Sequence, residues 1–553
     1  MNRVLLQVAA RTTAGTQDIT DASIGTCKFA LAWMSNATAL DTNTAGANES
    51  YGLYDGSNVY NQTMHAADVT SPSSAYWCSS TSNFLGVTST GGLYAAAATV
   101  SFITNGIRLN WSTAPASGMI ITVLLLSGAD IEASVCTGAF TSSSAAENIA
   151  LTYPKLSAPA DTLICLSAHV AVGTGSGTPR FSLGFFDRAS GAYACSAIRV
   201  VGTQNPTQSG HGQFTDCIAA LLGSAPFTSQ LYKVTVGSFT ASGFTMSSSA
   251  AAGTAVMAFA ALRFIGNKAT YVGTAVLPTS TGAFSPVTGM AVQPQVALAA
   301  PTMRTATGSA QGNSGFGLFA TVYTAAATTQ QGGVINMSKD AVSGSAVEKA
   351  QASYSDSLKI LDATGAASVR AALSTWNSDG ITLNASAASS AYRVAYLAFG
   401  TSSATNTSVA VDSGAVNFTG GVIDGSMDVP WTEGALRFTG QNITLNASGM
   451  AYAISVDAGQ LSFAGQPLRL DQSPGFVSGA LLLTGQDIGL YTAPIINPGA
   501  PVDVWAGDLA VQKNWQFVGG LGYAAALRMK TASSGIQVQL SAIDYVFKPG
   551  GVL

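Results

Sequence analysis

The sequence predicts an all-β chain: three tandem β-sandwich modules of jelly-roll-like type, then a run of short β-repeats and a small C-terminal β element. Three observations carry this. One hairpin motif is written three times at a single spacing. Clusters of Gly, Ser, Thr and Asn cut the chain into strand-length pieces. Apolar residues alternate or form short runs, the pattern of half-buried and buried strands.

The motif is FITNGIRLNW at 102–111, which returns as FTASGFTMSS from 239 and WNSDGITLNA from 376. Its glycines, Gly106, Gly243 and Gly380, are evenly spaced: the first interval equals the second. A turn-former precedes each one: Asn105, Ser242 or Asp379. Such pairs favour a tight hairpin with positive φ at both central residues, so the three glycines are expected to be structural turn residues. After the first glycine Ile107, Leu109 and Trp111 point one way and Arg108 and Asn110 the other. An aromatic stands at one fixed offset before each glycine: Phe102, Phe239 and Trp376.

A second apolar strand follows each hairpin, ITVLLLSG, VMAFAALRFIG or YRVAYLAFG, ending at Gly128, Gly266 and Gly400. A second landmark, YGLYD, LGFFD and FGLFA, places its glycines at Gly52, Gly184 and Gly317, again at nearly equal intervals. Two landmarks with nearly one period define a repeat. The expected modules are 1–128, 129–266 and 267–400. One helix is expected, around 345–361.

Beyond 400 the texture changes. GAVNFTGG, GALRFTGQ, GQLSFAGQ and GALLLTGQ begin at Gly414, Gly434, Gly459 and Gly479. This 401–495 stretch reads as a ribbon of β-hairpins, marginal alone because it has little core. Residues 496–553 read as the terminal β element.

Composition narrows the function. Hydrophobic residues make up 47% and charged ones 9% of the 553 residues. That is too apolar for disorder, and no run approaches the roughly 18 apolar residues of a spanning helix. The start, MNRVLLQVAARTTAG, has a short apolar run closed by Arg11 and argues against a signal peptide. The net charge is −4 with no basic stripe, which argues against nucleic-acid binding. Surfaces so poor in charge resist association weakly, so copies of the chain itself, a trimer among the options, are expected partners. The six cysteines show no CxxC spacing and read as buried thiols of a reducing compartment.

No catalytic constellation is legible. The three histidines, His65, His169 and His211, share no local motif, and only five residues are Glu. Nothing matches GxSxG, HExxH, a calcium loop or a phosphate-binding loop. Asp55 and Asp187 share a repeat-equivalent place and read as loop caps. The sequence thus predicts no enzyme, no metal and no cofactor. Aromatics in polar surroundings are the binding candidates: Tyr54, Tyr60, Tyr76 and Trp77 in module one, with Trp431 as a second site. Burial of these side chains in a core is the competing reading. If they bind, Trp77→Ala should weaken binding and leave folding intact.

The aromatic-x-x-[NSD]-G hairpin with its following strand, AYRVAYLAFG for example, resembles a module of tailed-bacteriophage structural proteins. The G-x-L-x-F-T-G-Q repeats resemble runs in phage tail and fibre proteins. Together the resemblances span about 20–490. They imply a virion component assembled in the host cytoplasm, with other virion proteins and a host-surface glycan or receptor as partners. Tail association is the first reading, capsid decoration or a head fibre the second, and a polysaccharide depolymerase the third.

Overall fold

The computed structural model describes residues 1–402 outside the segments 68–74, 90, 142–144, 170, 173–177, 202–207, 224–229, 251–254, 308–309, 325, 340–347 and 363. Beyond 402 it describes the strand segments given at the end of this subsection. No helix occurs among the described residues, and the chain is all-β.

Module one sets the pattern. Its strands are β1 (Asn2–Ala9), β2 (Gly15–Thr20), β3 (Cys27–Ser35), β4 (Thr44–Ala45), β5 (Ala47–Tyr54) and β6 (Val59–Ala66). They continue as β7 (Ala75–Ser80), β8 (Leu85–Thr88), β9 (Tyr94–Ile103), β10 (Gly106–Thr113) and β11 (Ile120–Ser127). A large antiparallel sheet runs β1-β11-β3-β5-β6-β7 and a small one β2-β10-β9-β8. The other two modules repeat the order with strands at 131–264 and 267–402.

The large sheets are buried on both faces. In β11, Ile121, Val123 and Leu125 face the sandwich interior of module one, while Leu124 and Leu126 face a second core. That second core is common to all three modules: Leu5, Trp77 and Leu126 meet Phe181, Ile198 and Phe264, and Phe316, Leu318 and Phe399. Two-sided burial turns an alternating strand into a continuous apolar run. ITVLLLSG reads as it does for that reason.

The modules therefore form one compact unit, Met1–Ser403, closed around the common core. Each pair shares an aromatic contact: Trp77 with Phe181 at 6.1 Å, Phe264 with Phe399 at 5.0 Å and Tyr51 with Phe316 at 5.8 Å between centroids. Each pair also shares an acid–lysine bridge: Asp55–Lys155 at 2.9 Å, Asp161–Lys268 at 2.7 Å and Asp41–Lys359 at 2.8 Å. Strand segments cross over as well. Ala310–Gly312 of module three extends the large sheet of module two, and β4 extends that of module three. The two crossing segments hold equivalent places, each just ahead of the strand that carries Gly52 or Gly317, a docking mode repeated within one chain. Apolar surface is thereby buried between modules of the same chain.

The repeated glycines do their work differently from expectation. The two-residue turns are Thr104–Asn105, 241–242 and 378–379, and each glycine is the first residue of the returning strand. None of the three has positive φ; in these turns only Asn105 does, at 64°. A Cβ on Gly106, Gly243 or Gly380 would instead lie closer than 3.0 Å to the carbonyl oxygen of Ile19, Leu151 or Val287 on the neighbouring strand. Close backbone approach, not turn geometry, demands glycine there.

The helix expected at 345–361 is also corrected. Glu348–Ser353 and Leu358–Leu361 are strands, the first paired with Gly333–Ser338 and the second with Ala367–Ala371. Pairing within two sheets overrides the local preference.

The second unit, Ala404–Leu553, is built from another kind of sheet. Ala415–Thr419, Gly434–Gln441, Gly459–Gln466, Ala480–Thr484 and Val504–Ala506 form one sheet in which every neighbour is parallel. Thr444–Leu445, Leu468–Leu470 and Ile488–Leu490 form a second parallel sheet. Equivalent residues align: Phe418 opposite Phe438, Phe438 opposite Phe463, Phe463 opposite Leu483. The expected hairpin ribbon is replaced by parallel strands, one per repeat in the larger sheet. Hairpins would need antiparallel neighbours, whereas the stretch between one strand and the next is long enough here to carry the chain back parallel.

Candidate binding surface

One side chain organises the seam between modules one and two. Asp55 follows directly on β5, and its Oδ1 accepts hydrogen bonds from the backbone N–H groups of Ser57 and Asn58, both at 2.8 Å. Its Oδ2 accepts the N–H of Val135 at 2.7 Å, on the edge strand that opens module two. Lys155 of module two completes the set. The cap role read for Asp55 is thus joined by a stapling one. Asp187 caps Ser190 and accepts from Thr270 of module three. At the remaining seam Gln330 accepts the N–H of Leu5 at 2.7 Å.

The turn held by Asp55 forms one wall of a cleft of about 410 Å³. Ser57, Asn58, Val59 and Thr81 line it from module one, and Val135, Cys136, Thr137, Leu151 and Thr152 from module two. Its lining mixes hydroxyl and amide groups with apolar side chains. The single titratable group of its lining, the Cys136 thiol, is pushed up to about 12 by burial. Near neutrality that thiol stays protonated.

The aromatic candidates lie elsewhere. Tyr60 and Trp77 are buried in the common core, 0% and 1% exposed. Tyr54 is buried in the sandwich of module one against Phe84 and Phe102. Tyr76 is half-buried on β7, opposite His65. Trp431 lies outside the described residues. A fully buried ring has no face to offer a sugar or a receptor, so Trp77 serves packing across the seam. The candidates came from loop-like stretches of sequence, YGLYDGSNVYNQ and SSAYWCSS, yet Tyr54, Tyr60, Tyr76 and Trp77 all stand on the strands β5 to β7.

Burial disfavours the charged forms of Glu49, His169 and His211. Burial pushes the Glu49 carboxyl up to about 8 despite a 2.7 Å hydrogen bond donated by Tyr51 Oη. Burial pushes His169 down to about 3, with Arg180 adding to it, and His211 down to about 4. His169 bonds Tyr232 and Ser182, and no group of three His, Cys, Asp or Glu that could hold a metal occurs among the described residues. All six cysteines are buried and unbridged. No family description, no curated protein and no solved structure matches this chain.

Proposed function

We propose that this protein is a non-enzymatic structural component of a bacteriophage particle, tail-associated, that helps engage the host surface. The observation that carries the reading is the coexistence of two building principles in one chain: a self-closed trio of sandwiches and an in-register parallel repeat. Rigid closure suits a part that must present loops and clefts without a partner subunit, and parallel coils suit extension. The hydroxyl and amide groups lining the cleft support recognition of a polyhydroxylated ligand such as a surface glycan. The phage setting rests on the resemblance of the hairpin and G-x-L-x-F-T-G-Q motifs.

Labelling the protein on intact particles tests the location. Signal at the tail is expected, and signal on the capsid shell would replace this reading with a decoration role. Purified protein should also compete with particles for host cells. Release of reducing ends from host polysaccharide would overturn the non-enzymatic reading.

A further inference from the structure

Module two carries a cationic cluster that the structural role leaves unused. Arg180 and Arg199 are directly opposite one another on adjacent antiparallel strands, Arg180–Asp187 and Tyr193–Val201. Their neighbours Phe181 and Ile198 face the common core. By strand alternation the two guanidinium groups emerge on the other face, toward the small sheet of module two. Like charges placed directly across a strand pair repel.

The cost is raised by burial. Arg199 is only 6% exposed, and its Nη1 donates to the carbonyl oxygen of Leu222 at 2.9 Å, which holds it inward. Arg180 is half-buried; its Nε is shut off from solvent and has no hydrogen-bond partner among the described residues. Beside them His169 bridges Tyr232 Oη at 2.6 Å and Ser182 Oγ at 3.1 Å, the latter on the same strand face as Arg180. Burial and Arg180 both hold that imidazole neutral.

Arg180 is left without a counter-charge among the described residues. Between Asp161 and Asp187 there is no acidic residue, and between Asp187 and Asp340 there is one, Asp216. Asp216 is paired with Lys233, Asp161 with Arg188 and Lys268, and Asp187 is taken up by Ser190 and Thr270. Arg180 has no carboxylate within ion-pair distance among the described residues.

We propose that Arg180 and Arg199 together form a binding site for a small oxyanion, a phosphate, sulfate or carboxylate group, walled by His169, Ser182 and Tyr232. Planar guanidinium forks match such groups with paired N–H donors, and one anion between them converts repulsion into two attractions. The site does not depend on where the protein sits in a particle.

The test uses the full chain with inorganic phosphate, sulfate and acetate, each against chloride at equal ionic strength, followed by calorimetry and melting. At least one of the three should raise the melting temperature of the wild type above that in chloride. Acetate against phosphate then tells a carboxylate site from a tetrahedral-anion site. R180Q should weaken the binding by about tenfold or more, the loss of a charged fork, and should melt no lower than wild type in chloride. R108Q, which removes an exposed arginine of module one, should bind like wild type. R180K keeps the charge without the fork, and should bind between the two if R180Q does not fold. No anion-specific rise in the wild type, or undiminished binding in R180Q or R180K, overturns the proposal.

Discussion

The two repeat regions of this chain solve one problem in opposite ways. Residues 1–402 repeat with a long period, enough for a two-sheet sandwich in each copy, and every large-sheet neighbour within module one is antiparallel. Residues 415–506 repeat with a short period, enough for a single coil, and every neighbour among the described strands is parallel. A long repeat buries one face by itself and needs only two companions for the other. A short repeat buries almost nothing by itself and must stack on the next copy. Closure at three makes each module indispensable, whereas an open stack tolerates a missing coil.

Deletions separate the two most sharply, and carry the largest expected effect. Removing module two, 129–266, uncovers Leu124, Leu126 and Phe399 of the common core. The product is expected to aggregate in size-exclusion chromatography. Removing 460–479 brings Ala480 to the place of Gln460, its partner in the parallel register. That chain should remain folded with the main melting transition in place. A soluble monomer without module two would break the comparison.

Trp77→Ala comes next. The side chain is 1% exposed and packs across the seam on Phe181. Truncations of this kind cost about 3–5 kcal/mol, so denaturant melts should show a large loss for modules one and two together. This replaces the expectation of weakened binding with intact folding. Loss confined to module one would mean that the seam does not couple the modules.

Gly243→Val should cost about 3 kcal/mol, at the upper end of overpacking effects, because its Cβ would strike the Leu151 carbonyl oxygen. Alanine should be nearly as harmful, since the clash begins at Cβ. A mild alanine variant would restore turn geometry as the explanation.

The smallest effect is a slope in pH. Glu49, with an ordinary value of 4.5, is held at about 8 in the folded chain. Between those values the unfolded carboxyl is ionised and the folded one protonated, so stability falls as pH rises, by at most about 1.4 kcal/mol per unit. His169 and His211 act oppositely, since their folded values lie below 6.5 and stability falls as pH drops beneath it. Above pH 6.5 only the Glu49 slope of these three remains. Glu49→Gln should flatten the melting temperature between pH 6.5 and 8; an unchanged slope would assign it to another group.

Some of this was legible residue by residue. Alternation in IRLNW, the turn before Gly106 and the recurrence of Gly243 and Gly380 are local, and local sterics write them into sequence. The aromatics were not legible in the same way. Tyr60 alternates with polar neighbours and looks half-exposed, yet it is buried in the common core because a second module covers it. Asp55 was readable as a cap, from its two turn N–H groups, but its bond to Val135 reaches across into the next module.

By itself, then, the sequence determined the all-β class, the strand rhythm and the repeat periods, since each depends on residues within a hairpin's length. Only the tertiary structure decided three things: that both faces of the large sheets are covered, that the glycines answer to a neighbouring carbonyl and not to φ, and that the short repeats stack parallel. Alternation states that a strand has two faces and a glycine states that space is short. What lies against the face or fills the space is set by segments far away in the chain.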